Sequence, residues 1–137
     1  MHIPKRTKYK KAQKGHPAKG ISIRCNSISY GKYGLKALQS GKITAKQIEA
    51  VRRTIVRKTK KLGKLWIRVF PDIPVSLKPA EVRMGKGKGN PEFWISKVKA
   101  GRILFELDNL TQIEAKAALE CVKYKLPILT KFVEKID

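Results

Sequence analysis

The sequence predicts an α+β fold, in which two helices pack on a mostly antiparallel sheet and an extended basic arm precedes the domain. Three observations carry this prediction. Stretches with a period of two flank two stretches of helical period, each helical stretch opens on a capping box, and the first twenty residues have neither period. A chain of 137 residues is a prior for one domain that buries roughly two-thirds of its unfolded surface. The organisation expected is therefore an arm over residues 1–20 and a single globular domain over 21–137.

Residues 4–19 hold Pro4 and Pro17, few apolar groups and a run of lysines. Such a segment has too little to bury to fold alone, and its self-repulsion keeps it extended until phosphates neutralise it. Ile21, Ile23 and Cys25 alternate with Ser22, Arg24 and Asn26, so residues 21–30 read as a strand. Thr44 and Gln47 form a capping box opening a helix over about 44–62, which Gly63 is expected to stop. At about 100° per residue, Ile48, Val51, Ile55 and Leu62 share one arc, and Lys46, Arg53, Arg57 and Lys60 gather on the opposite one.

Lys64 to Phe70 alternates again and reads as a strand ended by Pro71-Asp72. Phe93–Val98 and Arg102–Leu107 follow, joined by Lys99-Ala100-Gly101, a link of the length and type that closes an antiparallel hairpin. Thr111 with Glu114 boxes a second helix, on which Ile113, Ala117, Cys121 and Tyr124 recur at helical spacing. Pro127 ends it before a last strand at 128–133.

The charge narrows the function classes. The chain carries 32 Lys and Arg against 10 Asp and Glu, a formal net charge of +22, and such a surplus calls for a polyanionic partner. Residues 1–70 hold 20 of the cations and a single acid, Glu49, so the two halves of the chain do different work. Cys25 and Cys121 are too few and too scattered for a disulfide framework or a zinc site, and read as small buried hydrophobes in a reducing compartment. His2 and His16 have no Cys or carboxylate neighbours, so no metal and no cofactor is expected. No apolar stretch approaches the ~18 residues of a membrane span, and the N terminus lacks the apolar run of a secretory signal. No membrane association and no homo-oligomer are expected.

The segment Arg83-Met84-Gly85-Lys86-Gly87-Lys88-Gly89-Asn90-Pro91 is the most unusual in the chain. Alternating glycines remove the side chains that hold a backbone away from phosphate, and they present bare amides together with two ammonium groups. It completes neither a Walker A loop nor a dinucleotide glycine pattern, so ATPase and Rossmann readings fail. The bland alternative is a solvated flexible turn; nucleic-acid contact is preferred at residues 84–91 because the loop sits in so basic a chain. On the first helix, Arg52, Arg53, Arg57, Lys58, Lys60 and Lys61 face only Glu49, and mutual repulsion favours phosphate neutralisation over a merely solvated face.

Trp66, Trp94, Phe70, Phe93 and Phe105 lie on predicted strands and are assigned to packing, whereas base contact and packing stand even for Tyr9, Tyr30 and Tyr33. Glu106 and Asp108 share one face of a strand, but no His, Ser or Cys constellation accompanies them. They read as solvated strand-end acids, and no enzyme is expected.

Four segments occur in order with family-like spacing: Pro4-Lys5-Arg6-Thr7-Lys8-Tyr9, Gln47-Ile48-Glu49-Ala50, Trp66-Ile67-Arg68-Val69-Phe70-Pro71-Asp72, and Arg83 to Gly89. On these the chain resembles bacterial-type ribosomal protein sixteen of the large subunit, over essentially residues 3–133. The resemblance implies a structural constituent of the large ribosomal subunit that binds large-subunit rRNA and shapes the A-site tRNA path near the peptidyl-transferase centre.

It further implies that the arm residues Lys5, Arg6, Lys8, Lys10 and Lys11 thread into rRNA, and that Arg52, Arg53 and Arg57 meet a further rRNA helix. Arg24, Lys46 and Lys60 complete the expected rRNA contacts, and Arg83, Met84, Gly85, Lys86, Gly87, Lys88 and Gly89 form the loop expected on the tRNA path. Partners so implied are the rRNA, transiently the A-site tRNA, and neighbouring ribosomal proteins. His2 and the stretch 18–29 depart from the common bacterial pattern. Pro79-Ala80-Glu81-Val82 and Ile103 to Asp108 look closest to mitochondrial and alphaproteobacterial members, and Lys exceeds Arg 24 to 8 with 14 Ile. The expectation is an organelle-encoded protein of the mitochondrial matrix, with plastid and bacterial origins as alternatives. A free single-domain RNA-binding protein or RNA chaperone is the competing function.

Overall fold

The computed structural model describes residues 2–16 and 18–136; Met1, Pro17 and Asp137, which fall within the predicted arm and the end of the domain, lie outside the described residues. Among the described residues, seven strands and two α-helices follow one another: β1 (Tyr33–Ala37), β2 (Gly41–Thr44), α1 (Ala45–Lys58), β3 (Lys64–Ile67), β4 (Ile73–Leu77), β5 (Asn90–Val98), β6 (Ile103–Asp108), α2 (Gln112–Val122) and β7 (Thr130–Glu134). A single 3-10 turn, Lys123–Lys125, extends α2. The class is α+β as predicted, but the strands form two antiparallel sheets, ordered β3-β6-β1-β7 and β2-β5-β4.

Both helices begin where their capping boxes place them. Thr44 Oγ1 accepts from the Gln47 amide at 3.2 Å while Gln47 Oε1 accepts from the Thr44 amide at 3.0 Å, and Thr111 with Glu114 repeats the arrangement. The end of α1 differs from expectation. Lys60 and Lys61 take left-handed conformations, with φ of 52° and 64°, and break the helix four residues early. Gly63 does not stop it; a Cβ at Gly63 would lie 2.7 Å from Leu110 Cδ1, so close packing requires the glycine there. Leu62, past the break, is exposed rather than in the buried arc of Ile48, Val51 and Ile55.

Four further expectations are corrected. Residues 21–30 make no strand: Ile21 forms one isolated parallel bridge to Ala100, Ile23 is 90% exposed and Ser22 is the buried residue. Cys25 sits at φ 55°, so the alternation is cut by bends. The segment's polar groups go to β6, the Cys25 carbonyl accepting from the Ile103 amide at 2.7 Å. Nor are β5 and β6 a hairpin, since they belong to different sheets. At the link, the Gly101 amide donates to the Ala37 carbonyl at 2.7 Å, which turns the chain onto β1 instead of back onto β5. On α2 the predicted stripe faces outward: Ile113 is 82% exposed and Tyr124 and Ala117 are exposed too, while Ala115, Ala118, Leu119 and Val122 are buried. Cys25 and Cys121 are half-buried, not core residues.

The core is one cluster joining both helices to both sheets, with Leu35, Ile43, Ile48, Val51, Ile55, Val98, Leu104, Phe105 and Leu119 essentially inaccessible. Burying a side chain of this size stabilises the fold by roughly 1.5–3 kcal/mol. Because β6 is buried on both faces, the strands that flank it, β1 and β3, are held rigidly. The β2-β5-β4 sheet projects the remaining feature, a hairpin of β4 and β5 with the glycine-rich segment at its tip.

Candidate nucleic-acid interface

The segment at 83–89 belongs to the loop over residues 78–89 that connects β4 to β5. Met84 is 99% exposed, and nothing lies within 4 Å of where a Cβ would stand on Gly85 or Gly87. Their φ angles, 96° and 89°, with Lys86 between them at 60°, form a run of left-handed residues that only glycine adopts without strain. The tip of the loop is open around Gly85 and Gly87, and Lys86 between them is exposed. Its base is tight, because a Cβ on Gly89 would come within 2.4 Å of the Leu77 carbonyl oxygen.

The arm meets this loop. Lys11 Nζ donates to the Lys88 carbonyl at 2.7 Å, and Lys88 Nζ donates back to the Ala12 carbonyl at 2.6 Å. Lys42 on β2 adds a bond to the Gly15 carbonyl at 2.8 Å, and Lys78 donates to the Gly85 carbonyl. Backbone carbonyls of each segment thus accept from ammonium groups of the other, and two segments 76 residues apart in sequence become one cationic surface. Lys5, Arg6, Lys8 and Lys10 precede this junction, all exposed and without helix or strand. Tyr9 is exposed beside them, with Lys8 Nζ 5.6 Å from its ring centre. Arg24 is exposed on the bent segment that replaces the predicted first strand.

A second basic surface runs along α1. Arg52, Arg53, Arg57, Lys60 and Lys61 line an open groove together with Val56. Glu49 is less isolated than its lone charge implies, for it pairs with Arg52 at 2.6 Å and with Arg53 at 3.0 Å, one turn along the helix. The Arg52 hydrogen bond, ahead of that from Arg53, holds the Glu49 carboxyl down at about 2. The carboxylate therefore stays charged and orders two guanidiniums, while among the described residues no acid pairs with Arg57, Lys60 or Lys61. Lys46, grouped with them by periodicity, sits at the opposite end of α1, beside Ile3, Phe93 and Trp94.

The acids on β6 overturn a sequence expectation. Glu106 is fully buried, not solvated. Its carboxylate accepts from the amides of Ser29 at 3.1 Å, Tyr30 at 2.7 Å and Gly31 at 3.0 Å, and pairs with Arg68 at 2.5 Å. Burial alone raises the Glu106 carboxyl, but the three amides and the guanidinium outweigh it and bring it below the ordinary carboxylate range. Asp108 is only half-buried and its carboxylate accepts from the Asn109 amide. No signal in the sequence marks Glu106, because the Arg68 and Ser29–Gly31 partners come from distant segments.

Around Arg68 the aromatic assignments divide. Phe105 and Tyr33 are buried. Tyr30 remains 60% exposed, offset-stacked on Trp66 with ring centres 6.1 Å apart and planes at 17°, and the Arg68 guanidinium lies 4.7 Å from the Tyr30 centre. Phe70 is exposed in the same cleft, against the assignment to packing.

The arrangement offers exposed cations, a glycine-rich loop and exposed rings. Among the described residues no group of three or more His, Cys, Asp or Glu could hold a metal ion. Residues 4–133 match the family model described as ribosomal protein L16p/L10e. The chain is similar to the large ribosomal subunit protein uL16 of Maricaulis maris, at 56% identity over 99% of this chain and 98% of that protein. It is 52% identical to the uL16 of Rhodospirillum rubrum, with the same coverage. The uL16 of Leptospira biflexa serovar Patoc is also 52% identical, over 98% of both chains.

Proposed function

The chain belongs to the ribosomal protein L16p/L10e family, and from that premise we propose how its surfaces serve it. It is a non-enzymatic, structural constituent of the large ribosomal subunit, with ribosomal RNA and neighbouring ribosomal proteins as partners. The arm and the α1 groove take rRNA phosphates: Lys5, Arg6, Lys8, Lys10 and Lys11 on the one, Arg52, Arg53, Arg57 and Lys60 on the other, with Arg24 and Lys46 as outlying contacts. The arm of residues 1–20 takes its path along RNA while docked on the globular domain of residues 21–137 through the bonds of Lys11, Lys42 and Lys88. The loop from Arg83 to Gly89 faces the A-site tRNA path near the peptidyl-transferase centre, where a tRNA backbone approaches its amides and Lys86 transiently.

The observation that carries this reading is the reciprocal Lys11–Lys88 junction, which makes arm and loop one surface. Phosphate seated on the arm then constrains the loop, so rRNA binding presets the element offered to tRNA. Lys86 takes no part in the junction and Lys88 does, which separates the two roles. In subunits reconstituted with each variant, Lys86→Ala incorporates normally and slows tRNA accommodation, whereas deletion of residues 1–19 lowers incorporation itself. Full incorporation of the deleted chain removes the role assigned to the arm. Release of the intact chain from subunits by a high-salt wash favours the free RNA chaperone instead.

The compartment is a separate inference. An excess of Lys over Arg and of Ile supports an organelle-encoded member working in the mitochondrial matrix, while the relatives named above are bacterial proteins. Placing the coding gene on an organellar or a bacterial genome decides between the two.

A further inference from the structure

The cleft around Tyr30 and Trp66 takes no residue from the glycine-rich loop or α1, and among the described arm residues only His2 lines it. It opens between the bent segment 22–30 and the end of β3, with a volume of about 450 Å³, and is lined by His2, Tyr30, Trp66, Arg68, Phe70 and Arg102 among others. Its aromatic members are not core residues: Tyr30 and Phe70 are exposed, and Trp66 is half-buried. Tyr30 and Trp66 are nearly parallel and offset-stacked, and the exposed Tyr30 ring offers a surface on which a third flat ring can extend the stack.

The platform is held from below. Glu106 grips the amides of residues 29–31 and the Arg68 guanidinium together, so that one buried carboxylate positions both the loop carrying Tyr30 and the cation lying over its ring. Arg102 donates from Nη2 to the Arg68 carbonyl at 3.1 Å, and its buried Nε has no hydrogen-bond partner. Lys64 Nζ lies 5.0 Å from the Trp66 ring centre. Flat rings flanked by cations, with Arg102 also on the lining, match one ligand chemistry closely: an aromatic base tethered to phosphate.

We propose that this cleft receives a single unpaired RNA nucleotide, its base stacked on the Tyr30–Trp66 pair and its phosphate drawn to Arg102 and Lys64. A duplex buries its base faces in its own stack and cannot supply this contact. The site therefore selects a bulged or looped nucleotide, in contrast to the phosphate-tracking surfaces of the arm and α1. The inference rests on the rRNA-binding reading above.

The test uses the full chain carrying Trp94→Phe, so that Trp66 is the one tryptophan. Its emission is followed during titration with single-stranded oligoadenylate, with an RNA duplex of equal phosphate count, and with inorganic polyphosphate. Oligoadenylate is expected to quench Trp66 saturably, and the other two much less. Tyr30→Ala, a change on an exposed ring, should weaken oligoadenylate binding roughly tenfold with duplex binding unaltered, and Tyr30→Phe should restore it. Equal quenching by polyphosphate, or equal affinity of the Tyr30→Ala and parent chains, overturns the proposal. Duplex binding with a silent Trp66 removes the cleft alone; failure to bind RNA in any form removes the rRNA-binding reading with it.

Discussion

Glu106 concentrates four interactions on one side chain. A carboxylate without access to water is costly unless its oxygens are satisfied, and three amides plus a guanidinium satisfy both. Removing its charge leaves Arg68 and several amides short of an acceptor, so Glu106→Gln should cost about 3 kcal/mol in urea unfolding at neutral pH. Because the folded carboxyl lies below its ordinary value of 4.5, its stabilisation is complete above that pH and is lost as pH falls through the lower folded value. Glu49, held near 2 by Arg52 and Arg53, acts in the same direction. Acid titration of the parent chain should thus lose stability below about pH 4.5, and Glu106→Gln should flatten that dependence. An unchanged acid profile would mean that the Glu106 network contributes nothing to folding.

Elements are set here by end signals and by competition for partners. The box at Thr44 begins α1, and Thr44→Ala should lower stability by about 1 kcal/mol, read as a shift of the urea midpoint with the slope unchanged. β4 contains Pro74, which a central strand does not accommodate; it is accommodated because β4 is the edge of its sheet. The tip of the β4–β5 hairpin depends on Gly89 at its base. Gly89→Ala forces a methyl against the Leu77 carbonyl and should cost roughly 1–3 kcal/mol, loosening the loop, with protease nicking at residues 78–88 as the readout. Gly85→Ala, with open space around it, strains φ alone and should leave the hairpin closed.

Over the whole molecule, charge and core are separated along the chain and rejoined in space. The basic first half supplies the arm and α1, whereas the nearly neutral second half supplies β5, β6 and α2, and one core cluster holds both. Self-repulsion of a +22 chain opposes compaction until phosphates share the space. Binding to an rRNA fragment should accordingly fall steeply with salt. Deleting residues 1–19 should reduce the log-log slope by about 4 if the five arm cations named above each neutralise one phosphate. A slope that does not change would place the arm off the RNA.

Much of this was legible without a structure wherever the signal is local. Capping boxes bind residues three apart, a glycine-lysine loop states its chemistry in its own composition, and net charge is a sum; the four family segments likewise read directly from their order. What the sequence could not supply is which strand pairs with which and what lies beneath a residue. The short link at 99–101 fits a hairpin, but the bonds of Gly101 and Arg102 to Ala37 send β6 to another sheet. Tyr33–Ala37 has three weak strand formers in Gly34, Lys36 and Ala37 and is only five residues long, yet it is a central strand because both β6 and β7 hydrogen-bond to it. The outward face of α2, the burial of Glu106 and the Lys11–Lys88 junction each depend on partners more than twenty residues away. Local chemistry is written in neighbouring residues, whereas pairing and burial are settled by competition among distant segments for the same edges and the same core, and only the folded chain decides it.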